Sequence, residues 1–138
     1  MTLREAMTWT LKGERLIEEN KFAKAVKYFD EALRVNPNIS SVWVARGISL
    51  SKQGLYNNAL QSYYKALQLN PQSVEALNGR GLTLLQLEKY KEADECFKEA
   101  LDLDSNNSKL WFNRSLALKE LRKYKQSRKC LERAKQGI

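Results

Sequence analysis

Side chains able to do chemistry are few in this sequence, and they recur at a fixed interval. The 138 residues include no histidine and only two cysteines, Cys96 and Cys130. Nucleophilic and metal-assisted catalysis draw mainly on imidazole, paired thiolates or a glycine-rich phosphate loop, and none of these sets can be assembled here. Carboxylates do cluster at Glu92, Asp94 and Glu95, but on a helix they read as a solvated face. The residues therefore predict no catalytic site, no metal, no cofactor and no enzyme activity. Cys96 and Cys130 lie 34 residues apart, and two cysteines do not make a disulfide framework. If they hold equivalent places on stacked helices, they sit ~10 Å apart, beyond the roughly 7 Å that a disulfide spans between α-carbons. They are expected to be free structural thiols in a reducing cytoplasm. One further set recurs at the same interval: Lys12, Arg46, Arg80 and Arg114. It reads either as a ladder of donors for an acidic ligand or as a packing column. In the packing reading, the long stems cover an interface and the heads meet a nearby carboxylate or helix end. Strict periodicity favours packing, because a repeat copies its architecture before its function.

The elements that carry these residues follow from the interval itself. Shifted by 34, the chain falls into register without insertion or deletion as units 6–39, 40–73, 74–107 and 108–138. The fourth place holds Trp9, Trp43, Leu77 and Trp111; the eighth holds Gly13, Gly47, Gly81 and Ser115; the eleventh is Leu16, Leu50, Leu84 and Leu118. Further along run Phe22, Tyr56, Tyr90 and Tyr124, then Ala25, Ala59, Ala93 and Ser127, then Phe29, Tyr63, Phe97 and Leu131, then Ala32, Ala66, Ala100 and Ala134. Within each unit these columns make two amphipathic faces at helical spacing. The small residues let the two backbones approach while the large ones fill the space beside them. Asn20 and Gly54 mark the turns within units, and Pro37 and Pro71 end second helices. The predicted helices are 3–19, 22–35, 40–53, 56–69, 74–87, 90–103, 108–121 and 124–136.

Composition agrees with an all-helical chain. There are six Gly and two Pro, with 43% hydrophobic and 29% charged residues. No apolar run reaches the length of a membrane span, and the first ten residues lack the pattern of a secretory signal. The net charge of +8 is uneven: the stretches 1–39, 40–73, 74–107 and 108–138 carry +1, +3, −4 and +8. Nucleic-acid binders spread cations along a groove and interleave exposed aromatics. Here most aromatics fall in core columns, with Phe112 the exception.

Trp43, Gly47, Leu50, Tyr56, Ala59, Tyr63, Ala66 and Pro71 match a known signature, and over residues 6–138 the chain resembles the tetratricopeptide repeat family. The resemblance implies an all-α, right-handed superhelical solenoid of antiparallel helix pairs (an α–α superhelix). The whole chain, 1–138, would be one domain, with helix 124–136 doubling as a C-terminal cap. Its Lys12, Arg46, Arg80 and Arg114 depart from the leucine most common in the family just before the small eighth residue. Family members commonly hold a partner peptide or helix along the concave side formed by the first helix of each unit. The matching places here carry Thr10, Glu14, Val44, Ile48, Asn78, Leu82, Lys109, Phe112, Asn113 and Leu116. Of these, Val44, Ile48, Leu82, Phe112 and Leu116 are expected to form an exposed apolar strip, the mark of a binding site. The expectation is a non-catalytic adaptor for a protein partner, cytoplasmic and not in a membrane. The alternatives are nucleic-acid or acidic-partner binding through the basic last repeat, or self-association of that repeat with the acidic third. One branch of the family grips a C-terminal carboxylate with Lys and Asn from three units. Aligned on the first three units, its places hold Thr10, Glu14, Ala45, Glu75 and Gly79; aligned on the last three, they hold Val44, Ile48, Gly79, Lys109 and Asn113. Only Lys109 and Asn113 suit that clamp, so it is absent.

Overall fold

Every first helix ends in the same way, and the reason lies in four residues. Asn20, Gly54, Glu88 and Arg122 adopt φ of 60°, 80°, 60° and 63°, the left-handed conformation that closes a helix. Beyond each, the next amide reaches back to the eleventh-place leucine: Lys21 to Leu16 at 2.8 Å, Leu55 to Leu50 at 3.0 Å, Lys89 to Leu84 and Lys123 to Leu118 at 2.9 Å. A second bond, spanning three residues, runs from each left-handed residue, as from Asn20 to the Ile17 carbonyl at 2.9 Å. Each turn is thus a Schellman motif, so each pair of helices is a tight antiparallel hairpin.

The structure, a computed structural model, describes residues 2–136, so Met1, Gly137 and Ile138 of the expected 1–138 domain lie outside it. Among the described residues it contains eight helices and no strand: α1 (Leu3–Glu18), α2 (Phe22–Val35), α3 (Ser40–Lys52), α4 (Tyr56–Leu69), α5 (Val74–Gln86), α6 (Tyr90–Leu103), α7 (Ser108–Glu120) and α8 (Tyr124–Gln136). All eight expected helices are present, and the four first helices each stop one residue early, where the Schellman turn begins. Thr2, Ser73 and Asn107 cap α1, α5 and α7 through their side chains. Asn36 and Asn70 leave α2 and α4 in extended conformations, as residues before proline must.

The chain divides into two units, Met1–Pro71 and Gln72–Ile138, each holding two hairpins. In the first, α1 packs on α2, α3 on α4, and α3 also against α2 and α1. Its core centres on Ala25, Phe29, Ala32, Leu33 and Val42, with Trp9, Leu16 and Trp43 against it. The second unit repeats the plan with α5 to α8, burying Leu84, Phe97, Leu101, Leu110 and Leu118.

In the first three hairpins the eighth residue lies hard against the ring at the twenty-fourth place. A Cβ on Gly13, Gly47 or Gly81 would meet Phe29, Tyr63 or Phe97 at 2.5, 2.7 and 2.5 Å. The fourth hairpin has Ser115 at the first place and Leu131 at the second, so the larger eighth residue coincides with the smaller partner. Leu131 is 36% exposed where the three rings are fully buried, and only Ser127 and Cys130 of α8 are buried. Most of the other residues of α8 are exposed.

Candidate partner-binding surface

The periodic cations come first, because they could have formed an anion ladder. Arg46 donates through Nε to Asp30 at 2.7 Å and through Nη1 to Ser62 Oγ at 2.7 Å, and its guanidinium lies 5.7 Å from the Trp43 ring centre. Arg114 donates through Nε to Asp94 at 2.8 Å in a pair that is 20% and 15% exposed. Lys12 sits 5.1 Å over Trp9. Arg80 stands exposed beside a column where leucine replaces tryptophan. Lys12 and Arg46 thus lie over tryptophan rings, and Arg46 and Arg114 each pair with a carboxylate of the preceding second helix.

In the second unit, five of the expected site residues come together. Asn78 and Leu82 of α5 face Lys109, Phe112 and Asn113 of α7 across an open depression of about 580 Å³. Leu82 and Phe112 are 39% and 48% exposed, which leaves apolar surface uncovered on two neighbouring helices. Between them Asn113 Nδ2 donates to Asn78 Oδ1 at 2.8 Å, fixing α5 and α7 side by side. Leu116, one turn further along α7, is 38% exposed. Lys109 stands exposed at the start of α7, so the depression has an apolar floor, an amide pair and a cationic rim.

In the first unit Glu14 is exposed and Ile48 half-buried, while Thr10 donates its hydroxyl to the Ala6 carbonyl at 2.9 Å. Val44 departs from expectation. It is 3% exposed and offers nothing to a partner. Its place in the repeat is the fifth, shared with Asn78, and Asn78 turns toward a neighbouring first helix to meet Asn113. The fifth place thus differs between repeats: Val44 is buried there, while Phe112 at the same place of the fourth repeat is 48% exposed. The exposed apolar surface of the second unit combines Phe112 at the fifth place with Leu82 and Leu116 at the ninth.

Aromatic residues also depart in part from the sequence reading. Phe29, Tyr63 and Phe97 are buried, but Tyr64 and Tyr124 are 65% and 52% exposed alongside Phe112. Trp9, Trp43 and Trp111, assigned to a core column by spacing, are all only half-buried. Both cysteines are buried and free. Burial pushes the Cys96 thiol up to about 11, with the nearby Arg80 opposing. Burial raises the Cys130 thiol as well, with Arg114 opposing and Asp94 reinforcing. No helix among the described residues is long and apolar enough to cross a membrane.

Paired antiparallel helices repeated four times, with a left-handed residue closing each first helix, define a helical-repeat protein of the solenoid class. The chain belongs to the tetratricopeptide repeat family: models described as tetratricopeptide repeat match residues 10–74, 74–107 and 96–129. No curated protein matches the sequence. Among solved structures, the 41-end form of MamA from Desulfovibrio magneticus RS-1 is similar with a TM-score of 0.87 at 20% identity, over 96% of this chain and 75% of that one. A crystal structure of MamA is similar with a TM-score of 0.89 at 13% identity, over 96% and 77%. At these identities the likeness is one of fold. As a class, the family's repeats are protein-interaction scaffolds.

Proposed function

We propose that the chain is a non-catalytic adaptor that holds a protein segment in the depression between α5 and α7. The observation that carries this is the pair Leu82 and Phe112, two large apolar side chains 39% and 48% exposed, on adjacent helices whose separation is set by the Asn78–Asn113 bond. An amphipathic helix or extended segment would lay apolar side chains between them and set a polar or acidic group on Lys109. Leu116, one turn further along α7 and 38% exposed, extends the surface available to a longer ligand.

The test is capture of partners from native extract by the wild-type chain and by Leu82→Asp and Phe112→Asp. Both residues are exposed, so helical content should be unchanged while the captured species are lost. Capture at wild-type level by both variants contradicts the assignment.

A further inference from the structure

The other flank of α7 carries a second recess, about 570 Å³ in volume, formed with α8 and lined by Trp111, Arg114, Leu118, Lys129, Cys130 and Arg133. The first repeat shows what fills the same place. There the residue equivalent to Cys130 is Tyr28, whose ring stacks on Trp9 with centroids 5.5 Å apart and planes 26° from parallel. In the fourth repeat a thiol replaces the ring, and the Arg133 guanidinium lies 4.9 Å from the centre of the Trp111 ring. Arg133 is exposed, where such a contact is weak, so an incoming ring can displace it. Around the opening stand Lys129 and Arg133, neither in a salt bridge among the described residues, with one carboxylate, Glu132. Residues 108–138 carry ten cations against two carboxylates. The indole Nε1 donates to the Ser105 carbonyl at 2.8 Å, which holds the ring in place as a fixed floor.

We infer that the α7–α8 recess is a binding site for an aromatic side chain flanked by acidic residues in a partner peptide. The aromatic ring takes the place on Trp111 that Tyr28 takes on Trp9. The displaced Arg133 and neighbouring Lys129 meet the flanking carboxylates. The internal template is a protein side chain with one ring, which favours a peptide over a nucleobase. This site is separate from the depression between α5 and α7.

The probe is a labelled peptide Glu-Asp-Tyr-Asp-Glu, blocked at both ends, titrated by fluorescence anisotropy at low salt. Controls replace Tyr with Leu, or the acidic residues with Lys, and a labelled single-stranded oligonucleotide is run alongside. The acidic tyrosine peptide should bind and both control peptides should bind at least tenfold more weakly. Arg133→Gln, at an exposed position, should weaken binding about tenfold by removing a charge-assisted contact. Cys130→Tyr should fill the recess from within and abolish binding while helical content is retained. Leu82→Asp should bind as wild type, which separates this site from the one between α5 and α7. Absence of binding, equal binding of the leucine peptide, a loss in Leu82→Asp, no effect of Arg133→Gln, or tighter binding of the oligonucleotide would each overturn the inference.

Discussion

Replacing Gly81 with alanine sets two effects of opposite sign against each other, and the structure says which prevails. In an exposed helix interior, Gly→Ala gains about 0.8–1 kcal/mol because the backbone loses less freedom on folding. At Gly81 the added Cβ would lie 2.5 Å from Phe97 Cε1, with Cζ and Cδ1 at 2.7 and 2.9 Å. Phe97 is fully buried and cannot swing away, so the helices must part or the ring must leave its rotamer, at a cost of about 1–3 kcal/mol. The net expectation is destabilisation by up to about 2 kcal/mol. In a Phe97→Leu background the obstruction is gone, and the same Gly81→Ala change should stabilise by up to about 1 kcal/mol. The fourth hairpin already pairs a larger eighth residue, Ser115, with Leu131. Urea unfolding of the four proteins, followed by circular dichroism at 222 nm, gives the coupling between the two sites. A Gly81→Ala effect of the same sign and size in both backgrounds would refute the claim that ring and backbone are in forced contact.

Other perturbations follow from the same geometry. Glu88 holds φ of 60°, so Glu88→Gly should stabilise by about 0.5–1 kcal/mol, seen as a higher midpoint in thermal unfolding. Asp94→Ala should cost about 1–3 kcal/mol by leaving Arg114 mostly buried without its carboxylate. Asp30→Ala, which removes a partner that is 48% exposed, should cost under about 1 kcal/mol in the same assay. Cys96 titrates near 11 when folded against an ordinary 9, a folded value raised above the unfolded one. Its contribution to stability is complete below pH 9 and is lost as the pH rises toward 11, by at most about 1.4 kcal/mol per pH unit. The difference in unfolding free energy between wild type and Cys96→Ala should therefore shrink across that window, and a pH-independent difference contradicts it.

Helix ends could be read from the sequence almost to the residue because they are written in local chemistry. Asn20 and Gly54 are residues that tolerate the left-handed turn, and proline stops α2 and α4. Glu88 and Arg122 adopt the same conformation without any such signal, and only the 34-residue register places them. The site was less legible, since burial depends on which neighbour a helix face meets. Val44 and Leu82 are both apolar residues off the core columns, four places apart in the repeat, yet one is 3% and the other 39% exposed. Trp9, Trp43 and Trp111 share a core column by spacing, yet all three are only half-buried, whether the twenty-third residue is Tyr28, Ser62 or Cys130.

The central claim is that the depression between α5 and α7 holds the partner, and a photo-crosslinking amino acid placed at Phe112 tests it most directly. A second version carries the same group at Gln61, an exposed residue of α4. After irradiation in native extract, the protein labelled at Phe112 should form a discrete crosslinked species that disappears in the Leu82→Asp background, and the Gln61 version should form none. A species formed equally from both positions, or one that survives Leu82→Asp, would contradict the account.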